Sequence, residues 1–302
     1  MDGGLTVTLI SVAMFVGCFL LGFTPLLFRL SEKSLQLVCI LGAGLLCGTA
    51  LAIAIPEGVS LLQESYRASS SPAAPLPSQT SSTSPDPGIP ARVLIGLALT
   101  FGFTLMFVVD QISTYLSIRV CLVSGLKGVN ITATVGLVIH AAADGFALGA
   151  AAATGQVTVQ VVIFLAVILH KAPAAFGLVS FLMHSGLEKK HIQGHLLAFS
   201  AAAPVFTIAT YFILQASGSS TQSQLTSTGV GMLFSAGTFL YVATVHILPE
   251  VSSSAAVQKT SDLQLEEGAE GHQQQPLGLT QSITLIIGVG LPVALALGLK
   301  DD

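Results

Sequence analysis

Charge is scarce in this sequence. Only 9% of its residues are Asp, Glu, Lys or Arg, while 52% are hydrophobic. A soluble domain carries about a quarter charged residues, so most of this chain's surface faces something other than water. Tryptophan is absent, which leaves any aromatic belt at a membrane interface to tyrosine and phenylalanine. The four cysteines, Cys18, Cys39, Cys47 and Cys121, form no CxxC pair and lie in or beside apolar runs. That argues against a disulfide framework and a thiolate zinc site, and they read as small buried hydrophobes. There is no basic patch or nucleic-acid-binding motif, and the formal net charge is −4, which sets nucleic acid aside as a partner.

Long apolar runs, by contrast, fill the chain. Crossing a hydrocarbon core takes about twenty apolar residues, and eight segments qualify: 5–28, 36–56, 93–112, 131–153, 158–183, 196–215, 228–249 and 280–298. They are continuous rather than alternating, which predicts helices and not barrel strands. The first has no basic leader and is too long for a signal core, so it reads as a span. The expectation is an all-α polytopic membrane protein with one transmembrane domain over 1–302. The Ser/Pro-rich stretch at about 65–90 and the Gln/Glu-rich stretch at about 252–279 read as disordered loops. With the N-terminus outside or lumenal, Arg29, Lys33, Arg119, Lys127, Lys189, Lys190 and Lys259 fall on the inner side, and Arg67, Arg92 and Lys300 on the outer. This bias favours both termini outside.

Span two, GAGLLCGTALAIAIPE (42–57), aligns without gaps to span seven, SAGTFLYVATVHILPE (235–250), at an offset of 193 residues. Both end in Pro-Glu, and on this topology they run in opposite directions. Inverted repeats flanking a midplane site are one build of secondary transporters; two similar packing helices that each end at proline would look alike.

Ionisable residues inside spans cost roughly 2.5–3.5 kcal/mol each on insertion scales and are functional candidates for that reason. His140 and Asp144 stand four apart, on one face of span four; His170 and Lys171 lie in span five. Counting about 1.5 Å per residue, His140 and His170 both reach roughly 15–18 Å from opposite faces, near the middle of a core about 30 Å thick. Two imidazoles and a carboxylate at one depth suit Zn²⁺ better than Ca²⁺ or Mg²⁺. A self-satisfied His–Asp pair, or a structural Lys171–Asp144 ion pair, is the alternative. His246 and Glu250 in span seven, four apart around Pro249, could receive an ion near the inner face, and Glu57 would lie near the outer face. Either carboxylate could equally be interfacial. Asp110 reads as an interfacial cap, and His184, His191, His195 and His272 as solvated. Gly149 and Gly177 would let the central helices slide.

The segments HAAADG (140–145) and HKAPA (170–174) resemble the fourth- and fifth-helix motifs of the ZIP (Zrt-/Irt-like, solute carrier family 39) metal transporters, and the similarity extends over nearly all eight spans. It implies zinc movement toward the cytosol, inverted repeats (helices 1–3 and 6–8) around helices 4 and 5, and a homodimer in the trans-Golgi network and plasma membrane. It also implies His140, Asp144 and His170 as metal ligands, with zinc as substrate and no cofactor. Many members have Asn and Glu where this chain has Ala141 and Lys171, and a further His where it has Ala174, which leaves a second metal open. Residues 59–90 contain no His, so metal capture by that loop is not expected. The resemblance further raises a membrane androgen receptor, with a steroid ligand and a G protein as partners. An intramembrane zinc hydrolase would need a general base beside its metal, and HExxH is absent.

Overall fold

The computed structural model describes residues 3–27, 31–69, 90–124, 131–184, 187–247 and 278–298. The loops expected at about 65–90 and 252–279 lie mostly outside these residues, as do Glu250 and His272. Among the described residues all regular structure is helical, and eight helices are long and apolar enough to cross a membrane. They are α1 (Gly3–Leu27), α2 (Glu32–Thr49) running through a π-helical turn into α3 (Ile55–Ser69), α4 (Ala91–Ser124), α5 (Ile131–Ala153), α6 (Val157–His184), α7 (Lys189–Ala216), α8 (Thr221–Tyr241) and α9 (Leu279–Gly298).

Helices α5 and α8 are the most enclosed, and α4 and α9 the least. The outer helices turn Leu97, Phe101 and Phe107 (α4) and Ile286, Ile287 and Leu297 (α9) outward, the pattern expected where the surrounding solvent is lipid. The packing falls into matched pairs. Helix α2 packs on α9 as α8 packs on α4, and α1 packs on α6 as α7 packs on α5; α5 meets α8 where α6 meets α2. Counting spans rather than helix labels, exchanging spans one to three with six to eight, and four with five, maps each pair onto its partner, which is the inverted repeat expected from the sequence.

The repeat holds down to single contacts. A Cβ added at Gly44 would lie 2.6 Å from the Leu285 carbonyl oxygen, and one at Gly237, its equivalent, would strike the Leu99 carbonyl oxygen. A Cβ at Gly288 would lie 2.7 Å from the Leu41 carbonyl, and one at Gly102 would meet that of Phe234. Leu41 and Phe234 are again 193 residues apart. Small residues let membrane helices approach backbone to backbone, and here both halves use them at the same two places.

One expectation changes. Span two does not end at Pro56. A π-helical turn, Ala50–Ala54, precedes that proline and the helix continues to Ser69. Proline removes an N–H and clashes with the preceding turn. A π turn absorbs such a defect by shifting the hydrogen-bond register; here the Ile55 N–H bonds the Ala50 carbonyl. Glu57 therefore stands within a continuous helix rather than at its outer end, and the first residues of the expected loop are helical. A second π turn, Val242–Ile247, occupies the equivalent place in span seven, while Pro249 lies outside the described residues. Helix α4 also runs past its expected end. Asp110 consequently sits inside it, accepting a hydrogen bond from the Tyr241 hydroxyl at 3.0 Å, rather than capping a terminus.

The extension past Pro56 packs on the start of α8 through hydroxyls. Ser65 Oγ lies 2.6 Å from Thr226 Oγ1 and donates to the Gln222 carbonyl at 3.2 Å. Interhelical hydrogen bonds of this kind average about 0.6 kcal/mol in membranes. A double-mutant cycle on Ser65→Ala and Thr226→Val, read by thermal unfolding in detergent, is expected to return a coupling of about that size.

Candidate metal centre

His140 and Asp144 come from the middle of α5, and His170 from the middle of α6. Helical periodicity puts the first two one turn apart on one face. The structure brings all three together with one donor atom from each within 4.8 Å of the others; this is the one such group of His, Cys, Asp or Glu donors among the described residues. His170 Nε2 is 3.1 Å from Asp144 Oδ2, and His140 Nε2 is 3.4 Å from the same oxygen. The two imidazoles are each 2% exposed and Asp144 3%. Two donor atoms, His140 Nε2 and His170 Nδ1, have no hydrogen-bond partner. Buried polar atoms are nearly always partnered, and of these two it is His140 Nε2 that faces the Asp144 carboxylate, His170 turning its Nε2 to that oxygen, so the cluster is incomplete as a purely structural network. Zn²⁺ would supply the missing acceptor of lone pairs.

Helix α8 closes the third side. Ser235 Oγ donates to Asp144 Oδ1 at 2.5 Å, and Thr238 Oγ1 lies 2.8 Å from His140 Nδ1. The Phe239 ring lies 4.0 Å from the centroid of His140 and 4.2 Å from that of His170, an apolar wall that keeps the local dielectric low. None of these three was picked out from sequence. A signal exists in the repeat alignment, where Ser235 and Thr238 stand opposite Gly42 and Leu45: the two halves differ in polarity at the positions that face the candidate ligands.

The remaining candidates are placed differently. Lys171 is 2% exposed, and its ammonium donates to the Phe199 carbonyl at 3.4 Å while lying 4.3 Å from the centroid of the Phe199 ring. It is thus directed at α7 and is not the structural ion-pair partner of Asp144 that the sequence allowed. Glu57, half-buried in the first turn of α3, is not part of the three-donor group. The His246 backbone lies in the second π turn, its side chain and Glu250 falling outside the described residues. His191 is exposed, with Nδ1 3.9 Å from Glu188, and His195 is half-buried. Gly149 packs tightly, since a Cβ there would lie 2.5 Å from the Thr207 carbonyl, whereas Gly177 has nothing within 4 Å. Gly149 therefore fits helix contact and Gly177 open space.

Comparison with known proteins bears on the same residues. The ZIP zinc transporter family model matches residues 122–296, which includes α5, α6 and α8. The chain is 44% identical to zinc transporter ZIP9 of Xenopus tropicalis, with 99% of each chain covered. It is 43% identical to zinc transporter ZIP9 of Micropogonias undulatus, again over 99% of each. Zinc transporter ZIP9 of Macaca fascicularis is 51% identical over 54% of this chain and 66% of that protein. With eight spanning helices, an inverted repeat and this extent of similarity, the chain belongs to the ZIP zinc transporter family.

Proposed function

We propose that this protein carries zinc across a membrane toward the cytosol, from outside the cell or an organelle lumen, by alternating access at a site made of His140, Asp144 and His170. One observation carries the reading: two imidazoles and a carboxylate, donors that suit zinc, meet in the buried middle of the bundle, and His140 Nε2 stands beside Asp144 without a hydrogen-bond partner. Two neutral imidazoles and one carboxylate hold a divalent ion with a net charge of about +1, a weaker trap than an all-anionic cage and suited to release. The inverted repeat supports alternating access, because two equivalent halves can open the same site to opposite faces. Glu57 on the outer side, and His246 with Glu250 on the inner, would mark entry and exit. Lys171 would stand near the path where, when charged, it disfavours a second ion.

The Lys and Arg bias supports termini on the outer or lumenal side. The family resemblance extends the reading to a homodimer in the trans-Golgi network and plasma membrane. The family is one of transporters, so the hydrolase alternative is set aside. The buried donor group and the family together favour transport over a steroid receptor coupled to a G protein. The test is radiolabelled zinc uptake into proteoliposomes holding the purified full chain. Uptake above that of empty vesicles is expected; its absence with correctly folded protein would overturn the proposal.

A further inference from the structure

The geometry points to Ser235 and Thr238, on a helix that supplies no ligand, as positioning residues that hold His140 and Asp144 in their zinc-accepting form. This rests on the reading of His140, Asp144 and His170 as the zinc site.

The assignment follows from counting protons. A threonine hydroxyl has one proton to give. That of Thr238 goes to the Ser235 carbonyl at 2.6 Å, since a carbonyl oxygen can only accept. Toward His140 Nδ1, 2.8 Å away, Thr238 Oγ1 can therefore only accept, and Nδ1 must carry the ring hydrogen. In the neutral ring the lone pair then sits on Nε2, the atom that is buried without a partner and lies 3.4 Å from Asp144 Oδ2. A lone pair facing a carboxylate oxygen in a dry interior is unfavourable until a cation enters between them. Ser235 completes the device. By donating to Asp144 Oδ1 it occupies that oxygen and leaves Oδ2, the one shared with both imidazoles, for the ion. Residues 235 and 238 are nearly one turn apart, so one face of α8 orients one ligand atom from each of two side chains on α5.

Without the Thr238 hydroxyl, the neutral His140 ring gains by moving its hydrogen to Nε2 and donating it to Asp144. That satisfied pair would have to be undone for each zinc bound. Removing such an outer partner of a metal-ligating histidine typically lowers metal affinity 10–100-fold.

Two measurements on the purified full chain test this. The first is zinc affinity by competition with a chromogenic chelator. Thr238→Val is expected to bind roughly 10–100-fold more weakly, and Thr238→Ser, which keeps the hydroxyl, to retain wild-type affinity. Equal affinity in wild type and Thr238→Val would overturn the inference, and so would failure of serine to rescue. The second is the ¹⁵N spectrum of the histidines in zinc-free wild type, with His140→Ala used for assignment. His140 is expected to carry its hydrogen on Nδ1, which a purely structural role for Thr238 does not require. A hydrogen on Nε2 would overturn the inference even if Thr238→Val failed to fold. The two ideas fail separately: wild-type affinity in His140→Ala would sink the site itself, whereas lost affinity in His140→Ala beside unchanged affinity in Thr238→Val would sink only the positioning role.

Discussion

Asp144→Ala and Asp144→Asn are both expected to reduce zinc uptake into proteoliposomes to the background of empty vesicles. Asp144 is the one anion of the three-donor group, and its Oδ2 is the point on which both imidazoles converge. Zinc entering the mutant site would keep its full double charge in a buried setting. A centrally placed unpaired charge is worth at least about 2.5–3.5 kcal/mol in membrane helices, and every 1.4 kcal/mol is tenfold, so uptake should fall by roughly 100-fold or more. Asparagine nearly preserves the shape and can still accept from Ser235, so its failure would isolate charge as the cause. His140→Ala and His170→Ala should each follow, with a smaller loss, because each removes a neutral donor. Folding should not follow the same order. Removing a buried carboxylate relieves a desolvation penalty, so the Asp144 variants should melt near the wild-type temperature, as functional sites commonly sacrifice stability. Uptake at the wild-type rate in Asp144→Asn would remove this site from the transport path.

Much of this site is legible in the amino-acid sequence. The spacing of His140 and Asp144 gives a shared helical face, and counting residues from opposite ends brings His170 to the same depth. What periodicity does not reveal is which hydroxyls on α8 turn inward. Serine and threonine in apolar helices usually bond a carbonyl of their own preceding turn, as Thr207 does with Ala203, Thr228 with Gln224 and Thr244 with Leu240. Thr238 does so as well, with Ser235, yet its oxygen lone pairs remain available to His140. Only the contrast with Leu45 in the other repeat half marks the position. The continuation past Pro56 is hidden for a different reason. Proline reads as a stop because its defect normally ends the ladder, and the π turn that absorbs it has no signature in a run of Ala, Leu and Ile. Lys171 is ambiguous by length: four methylenes reach either Asp144 or α7, and packing against Phe199 decides.

The inverted repeat yields the second large effect. Gly237→Val and Gly44→Val should each destabilise the protein by about 3 kcal/mol or more, the upper end of overpacking in a close-packed core, read as a lower thermal midpoint in detergent. At Gly237 the added Cβ would strike the Leu99 carbonyl oxygen and come 3.0 Å from the Phe103 nitrogen; at Gly44 it would lie 2.9 Å from the Gly288 Cα. These are backbone atoms of facing helices and cannot rotate aside, so α4 must move off α8, or α9 off α2. Separation is serious in lipid, where no hydrophobic force drives the helices back together. Gly96 on α4 and Gly290 on α9 are internal controls, since a Cβ at either meets nothing within 4 Å; alanine there should be neutral or add up to about 1 kcal/mol through helix propensity. The two valine variants should part company in function. Helix α8 carries Ser235 and Thr238, so displacing it at Gly237 withdraws both hydroxyls from the ligands on α5. Helix α2 packs mainly on α9 and, around Gly42 and Pro173, on α6, with a lighter contact to α8, and carries neither hydroxyl. For a comparable loss of stability, Gly237→Val should therefore weaken zinc affinity more than Gly44→Val. Equal zinc affinity in the two variants would mean that the α8 hydroxyls hold the helices together without orienting the ligands.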